Sequence, residues 1–297
     1  MPNFRTSART VDMLGRQQIA GIPTAISELF KNAHDAYATR VEADYYRPEQ
    51  LLVLRDDGLG MTPNDIIERW LVLGTDSKVG NGGELDAIAS AMGLEARIPT
   101  GEKGIGRLAI AAIGPQVLLV TRARRSDGLH PTVVSFVNWS LFALPGVSLD
   151  EIEVPVQQFP DGTLPGVEDL SLLVDAVREN LDQVRGRSDA GAVGDIERQL
   201  DQVSFDVAAL QRRFDSAALS GSATGTQFFI QPTDPMLAVA LDAEPEKRRI
   251  GDLQKTLMGF ANTMMPDRPQ ARLRRCATWS GCQTRQNTLQ WRQSLGH

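Results

Sequence analysis

The chain has 297 residues, of which 42% are hydrophobic and 23% charged, and its formal net charge at pH 7 is −6. These values exclude wholesale disorder and collagen-like or coiled-coil repetition, and the negative charge argues against a nucleic-acid-binding surface over the whole protein. The apolar runs are far shorter than the ~20 residues that cross a bilayer. The opening segment MPNFRTSART lacks the apolar stretch of a signal peptide, so we expect a cytoplasmic protein without a membrane partner.

The predicted elements begin with a short helix over 10–20 and a better-defined helix over 23–38, where apolar residues recur at helical spacing and Thr24 is a candidate cap. Alternating polarity predicts a strand over 40–46, and a short apolar run predicts another over 51–54. Further along, the predicted elements are a helix over 66–73, strands over 117–122 and 132–137, helices over 170–184 and 196–214, a strand over 226–231 and a helix over 245–264.

These helices and strands alternate irregularly, and several strands are hairpin neighbours. The pattern predicts the α+β class, as a two-layer α/β sandwich with one mixed sheet and helices on one face. The composition changes near the carboxy terminus, where six arginines accompany a single acid from Asp267 onward. We therefore expect 271–297 to be a disordered basic tail.

Three polar side chains lie on one edge of the predicted helix over 23–38. Glu28, Asn32 and Asp35 are spaced at i, i+4 and i+7, next to the apolar stripe. Two carboxylates and an amide in this arrangement suit a hydrated Mg²⁺ ion and a polarised water, because Mg²⁺ prefers oxygen ligands and keeps several waters. Taken alone, the pattern also fits a solvated helix edge.

A second candidate site follows the strand over 51–54, in the turn Asp56-Asp57-Gly58-Leu59-Gly60-Met61. A carboxylate at a strand end can accept a hydrogen bond from an exocyclic amine, as on adenine. The two glycines allow the backbone to approach a flat ligand closely. The same letters also fit an ordinary turn.

A glycine-rich segment, Gly101-Glu102-Lys103-Gly104-Ile105-Gly106, precedes an apolar helical stretch and can offer free amides to phosphate oxygens. It follows no predicted strand, so it does not fit a Rossmann fingerprint, and no Walker-type motif occurs. Gly225-Thr226 begins the last predicted strand of this region, where a hydroxyl could join a carboxylate in contacting a base.

In this order, the four segments SELFKNAHDA, LRDDGLGM, TGEKGIGRLA and ATGTQFFI resemble the GHKL ATPases. That superfamily includes the DNA gyrase B subunit, the ninety-kilodalton heat-shock chaperone, sensor histidine kinases and the mismatch-repair protein MutL. The segments look like its N box, adenine-binding turn, phosphate motif and closing Gly-Thr strand, and the resemblance covers roughly 10–232. The words AISELFKNAHDAYATRV and WLVLGTDSK look closest to the microrchidia-like and chaperone-like branch.

The resemblance implies a Bergerat fold that binds ATP and Mg²⁺. It implies that Glu28 is the catalytic general base, that Asn32 is the Mg²⁺ ligand, and that Asp35 supports the nucleotide through water. It further implies that Asp56 reads adenine, with Gly60 and Thr226 as partners. The remaining nucleotide contacts that it implies are Gly58, Met61, Thr75, Ser77, Lys78, Lys103, Gly104, Ile105 and Gly106.

The implied organisation is an ATP-binding domain over 1–232, with an ATP lid over 62–103 and a helical insertion over 165–220. A C-terminal helical extension over 233–270 and the basic tail follow. DNA gyrase B and MutL use a lysine from a second domain, for which too few residues follow Thr226. Lys103 or Lys78 then substitutes, or the group lies outside this chain, as in a truncated piece of a longer protein.

The implied function is Mg²⁺-dependent ATP binding and slow hydrolysis, coupled to lid closure and to a homodimer, as a module of a larger defence- or DNA-associated machine. One alternative is a nucleotide-gated binding module that assembles with DNA or a protein partner without efficient turnover. Another is a histidine kinase, which the sequence disfavours because no histidine precedes Glu28.

Overall fold

The computed structural model describes residues 5–73, 84–98, 100, 106–214 and 217–241, together with the backbone of 288–294. Within these ranges one sheet has seven strands in the order β5-β4-β3-β6-β2-β1-β7. The strands are β1 (Arg40–Tyr46), β2 (Leu51–Asp56), β3 (Gln116–Arg125), β4 (Gly128–Asn138), β5 (Val156–Phe159), β6 (Gly225–Ile230) and β7 (Thr288–Ser294).

The α+β class is confirmed, and the predicted mixed sheet is corrected. Every described strand pair is antiparallel. The reason is that β1–β2 and β3–β4 are hairpins, while β6 inserts between β2 and β3 and runs against both of them.

The described helices are mostly short. They are α1 (Arg9–Leu14), α2 (Ile22–Asp35), α3 (Pro63–Asp65), α4 (Glu84–Ala91), α5 (Ile110–Ile113), α6 (Trp139–Phe142), α7 (Val167–Val184), α8 (Ala190–Asp201), α9 (Val207–Gln211) and α10 (Met236–Leu241). A π-helical turn, Ile66–Trp70, continues α3, and a 3₁₀ turn, Gly106–Ala109, leads into α5. None of the described helices is long and apolar enough to span a membrane.

The two faces of the sheet differ in what they carry, because side chains alternate along each strand. One face, here the site face, carries Asp56 at the end of β2 and the paired threonines Thr121 and Thr226. The opposite face, here the insertion face, carries the paired residues Arg55 and Gln227.

Helices from the segment predicted as an insertion pack on the insertion face. Gln116 Nε2 donates to the Gln199 carbonyl of α8 at 2.5 Å, and Gln211 of α9 hydrogen-bonds Gln227. Arg55 is 0% exposed, and its guanidinium carbon lies 3.9 Å from the centroid of the Phe214 ring.

Part of the tail predicted to be disordered is a strand. β7 pairs along the whole of β1, from Arg40 opposite Ser294 to Tyr46 opposite Thr288. The physical reason is that β1 would otherwise be an edge with unpaired backbone groups, which a strand can satisfy. The predicted helix over 245–264 and the rest of the tail lie outside the described residues.

Candidate functional site

Helix α2 forms because an apolar stripe packs into the core on one side. Ala25, Ile26, Leu29 and Phe30 are buried on this stripe. The helix begins after Gly21, with Pro23 in its first turn and without a side-chain cap, so the prediction that Thr24 caps it is wrong. Proline suits the first turn because its missing N–H has no helical partner there.

Glu28 and Asn32 lie together on α2, facing Gly106. A Cβ placed on Gly106 would be 3.2 Å from Glu28 Oε2 and 3.6 Å from Asn32 Oδ1. Glu28 Oε1 is engaged by Lys31 Nζ at 2.6 Å. The Asn32 amide makes no hydrogen bond within the described part of the chain. Because Gly106 has no side chain, there is open space beside Glu28 Oε2 and the Asn32 amide, which has no hydrogen bond among the described residues.

Asp35, one turn further along α2, holds the segment that enters the glycine-rich motif. Its Oδ1 accepts hydrogen bonds from the Thr100 amide at 2.9 Å and from the Thr100 hydroxyl at 2.8 Å. The sequence does not reveal this contact, because nothing in the spacing of Thr100 distinguishes it from an ordinary loop threonine.

Asp56 is a buried carboxylate, only 4% exposed. Its Oδ1 accepts hydrogen bonds from the amides of Gly58 at 2.9 Å and Thr226 at 3.2 Å. Within the described residues, no hydrogen bond reaches its Oδ2. Burial raises the pKa of Asp56 to about 7, although the two amides act in the opposite direction. Because both amides donate to Oδ1, Oδ2 of the ionised carboxylate can accept a hydrogen bond from a ligand amine.

The glycines around Asp56 are needed for close packing of the protein backbone. Gly60 has φ +63°, and a Cβ there would overlap the Arg122 carbonyl. Gly225 has φ +134°, and a Cβ there would overlap the Asp56 carbonyl. This is a different reason from the approach of a flat ligand that the sequence pattern indicated.

Thr121 joins the turn to the strand that carries Thr226, a role that the sequence did not reveal. Its hydroxyl accepts from the Met61 amide at 3.0 Å and donates to the Gly225 carbonyl at 2.9 Å. The hydroxyl oxygens of Thr121 and Thr226 are 3.0 Å apart. These contacts position Met61 and Thr226 beside Asp56.

Arg125, at the end of β3, holds the turn that follows Asp56 through hydrogen bonds to its backbone. Its guanidinium donates to the carbonyls of Leu59 at 3.0 Å and Gly60 at 3.2 Å, and pairs with Asp65 at 2.5 Å. Burial alone would raise the pKa of Asp65, but hydrogen bonds from Thr62 and the charge of Arg125 lower it below its usual value.

Arg107 ties the phosphate motif to the start of the predicted lid. It follows Gly106 directly, and its guanidinium donates to the carbonyls of Arg69 and, at 2.5 Å, Val72. Burial lowers the pKa of Arg107, and the nearby Arg69 acts in the same direction.

The motifs therefore meet along α2 in order. Gly106 lies at Glu28 and Asn32, Thr100 at Asp35, and the Leu59 amide donates to the Ala36 carbonyl at 2.9 Å. The other predicted contacts, Thr75, Ser77, Lys78, Lys103, Gly104 and Ile105, lie outside the described residues.

The chain also matches a known family over part of its length. Residues 21–153 match the family of histidine kinase-, DNA gyrase B-, and HSP90-like ATPases. The match includes α2, the Asp56 turn and Gly106, and it supports the GHKL superfamily. Such a domain suggests ATP binding and hydrolysis. No curated protein matches the chain, and the match does not distinguish a microrchidia-like branch.

Proposed function

We propose that this GHKL-type domain binds ATP between α2 and the Asp56 turn and hydrolyses it slowly with Mg²⁺. The observation that carries the proposal is that Gly106 faces Glu28 and Asn32 on α2, the helix whose carboxyl end also contacts the turn of the buried Asp56. The matched family supports the same chemistry.

Asp56 would select adenine over guanine. Asp56 is a buried residue whose Oδ2 has no hydrogen-bond partner among the described residues, and adenine presents an amine where guanine presents a carbonyl oxygen. A carboxylate facing that carbonyl would leave two acceptors opposed in a desolvated place, which is costly. Gly60, Met61 and Thr226 would contact the same edge of the base.

Asn32 would hold the magnesium ion. The described residues contain no group of three or more His, Cys, Asp or Glu side chains that could hold a metal. A hard cation that keeps several waters needs only an amide oxygen and nucleotide phosphates as anchors, and the free amide of Asn32 fits that need. When bound, the ion would offset the charge on the phosphates.

Glu28 would act as general base. Lys31 holds its Oε1, which leaves Oε2 toward Gly106. That oxygen would take a proton from a water in line with the γ-phosphate. General-base action contributes roughly 10²–10⁴-fold in rate.

The proposal extends to the domain boundaries given above. It includes closure of a lid over 62–103 carrying Thr75, Ser77 and Lys78, contacts from Lys103, Gly104 and Ile105, and nucleotide-dependent dimerisation. It also includes a cytoplasmic role as one module of a defence- or DNA-associated machine. The support for these finer points is the likeness of the sequence segments.

The test combines calorimetric titration with a phosphate-release assay, using ATP, ADP, GTP and a non-hydrolysable analogue, with and without Mg²⁺. Glu28→Ala should keep ATP affinity within about threefold while phosphate release falls roughly 10²-fold or more. Glu179→Ala, an exposed change on α7, is the matched control. Absence of ATP binding by the wild-type protein, or acid-labile phosphate on the protein instead of free phosphate, would overturn the proposal.

A further inference from the structure

A small apolar cluster lies apart from the main core, beside the base-binding turn. Its buried members are Tyr37, Leu59 and Ala89, and α4 residues Leu85 and Ile88 pack against it. Leu59 belongs to the turn that follows Asp56, whereas Ala89 belongs to α4. The cluster therefore joins the turn to a helix distant in sequence.

Tyr37 provides the polar contacts of this cluster. Its hydroxyl donates to Asp86 Oδ1 of α4 at 2.7 Å and accepts from the Arg97 amide at 3.4 Å. Burial raises the pKa of Tyr37, and the nearby Asp86 acts in the same direction.

Arg97 fastens the far end of the same segment. Its guanidinium donates to the carbonyls of His34 at 3.2 Å and Ala38 at 2.8 Å, and its central carbon lies 5.3 Å from the centroid of the Tyr37 ring. Both ends of 84–98 are thus attached to the carboxyl end of α2.

Tyr37 has a left-handed backbone conformation that a tyrosine rarely adopts. Tyr37 has φ 62°, and the Ala38 amide donates to the Ala33 carbonyl at 3.0 Å. This is the Schellman ending of a helix, in which glycine usually occupies the left-handed position. A tyrosine there adopts an unfavourable conformation. The contacts of the Tyr37 side chain with Asp86 and Leu59 offset the cost of this conformation.

We propose that Tyr37 is a positioning residue, a latch that fastens segment 84–98 to the turn carrying Asp56. This inference rests on the proposed nucleotide site. Nucleotide affinity then depends on the Tyr37 hydroxyl, although that hydroxyl does not contact the nucleotide. Because coupling between two sites is reciprocal, nucleotide binding should in turn steady segment 84–98.

The first test uses the full chain without nucleotide. Tyr37→Phe removes only the hydroxyl, and Tyr45→Phe is the matched control, because Tyr45 is buried and its hydroxyl has no hydrogen bond among the described residues. Amide hydrogen exchange in 84–98 should be roughly fivefold or more faster in Tyr37→Phe and unchanged in Tyr45→Phe. Equal exchange in Tyr37→Phe and wild type would overturn the latch.

The second test measures nucleotide affinity and turnover. Tyr37→Phe and Asp86→Ala should each weaken ATP binding by roughly three- to tenfold, while kcat at saturating ATP stays within twofold. Combining them should give no further loss, since both changes break one hydrogen bond. Additive losses, or unchanged affinity in Tyr37→Phe, would overturn the coupling.

The two measurements separate the inference from the proposed function. Failure of the wild-type protein to bind ATP or ADP would overturn the proposed function. The exchange of 84–98 in the nucleotide-free protein would still decide whether Tyr37 fastens that segment.

Discussion

Asp56 combines two properties that oppose each other in the nucleotide-free protein. It is buried, which favours the neutral acid, and it presents an oxygen without a described partner, which suits a carboxylate that receives a ligand amine. Two consequences for pH dependence follow, one for stability and one for binding.

Stability without nucleotide should fall as pH rises from about 4 to about 7, the interval between the ordinary pKa of an aspartic acid and the raised pKa of Asp56. In this interval the folded state binds more protons than the unfolded state, so raising the pH favours unfolding. Urea unfolding should show a loss of a few kcal/mol in wild type that is absent in Asp56→Asn. Glu179→Gln should follow wild type. Parallel pH slopes in Asp56→Asn and wild type would contradict this.

Nucleotide binding should release a proton near pH 7. An amine that donates to Asp56 stabilises the ionised form and lowers its pKa, so affinity for ADP should rise with pH through about 7. Calorimetry in buffers of different ionisation enthalpy measures the proton directly. Proton uptake, or an affinity independent of pH between 6 and 8, would show that the carboxylate does not receive the base.

At the scale of elements, the turn after β2 is fixed from several sides. Gly60 touches the β3 backbone, Thr121 holds the Met61 amide, and Arg125 holds two carbonyls. A turn fixed in this way is preorganised, so little conformational freedom would be lost on binding the proposed nucleotide.

Gly60→Ala should destabilise the protein by more than about 3 kcal/mol, because both its φ of +63° and the overlap with the Arg122 carbonyl oppose a side chain. Gly93→Ala is the matched control: Gly93 has φ +74°, but a Cβ there meets nothing within 4 Å. That control should cost only about 1 kcal/mol. Equal losses in the two variants by chemical unfolding would show that close packing at Gly60 is unimportant.

Several elements could be predicted from sequence because their pattern is local. The strand over 40–46 and the apolar stripe of α2 have the period of the structure that they form. The predicted helix over 196–214 is instead two helices. The polar segment before it begins α8, because Asp189 caps that helix through a hydrogen bond to the Ala192 amide.

The candidate site could be predicted only in part, for a similar reason. Motif residues such as Glu28, Asn32 and Asp56 carry their signal in spacing and residue type. Tyr37 and Thr121 contact partners 49 and 60 or more positions away, so their roles depend on tertiary structure. The sequence does not predict the full length of β3, because its end is charged, or the strand β5, because its centre is polar. In both places the alternation of polar and apolar residues that indicates a strand is lost.

At the scale of the whole molecule, a buried ion cluster on the sheet contacts the segment predicted as an insertion. The Arg55 guanidinium pairs with Glu42 and Asp44 on β1 and lies over Phe214, which follows α9. Such a cluster is costly to break from one side, because the carboxylates lose their charge partner in a desolvated place.

Arg55→Met should therefore destabilise the protein by about 3–5 kcal/mol. Adding Glu42→Gln and Asp44→Asn to the same chain should recover part of that loss, since no buried negative charge then remains unpaired in the cluster. Chemical unfolding of the single and triple variants measures both effects. A triple variant less stable than Arg55→Met would show that the charges are not the reason.

The strand β7 has a consequence for solubility. It pairs with β1 along its full length, so the outermost strand of the described sheet comes from residues 288–294. A chain shortened to end at Leu241 would leave the β1 edge as a template for other extended chains. Light scattering of that shortened chain should increase with concentration, whereas the full chain should stay dispersed. Protection against aggregation would then be a physical role of this short terminal strand.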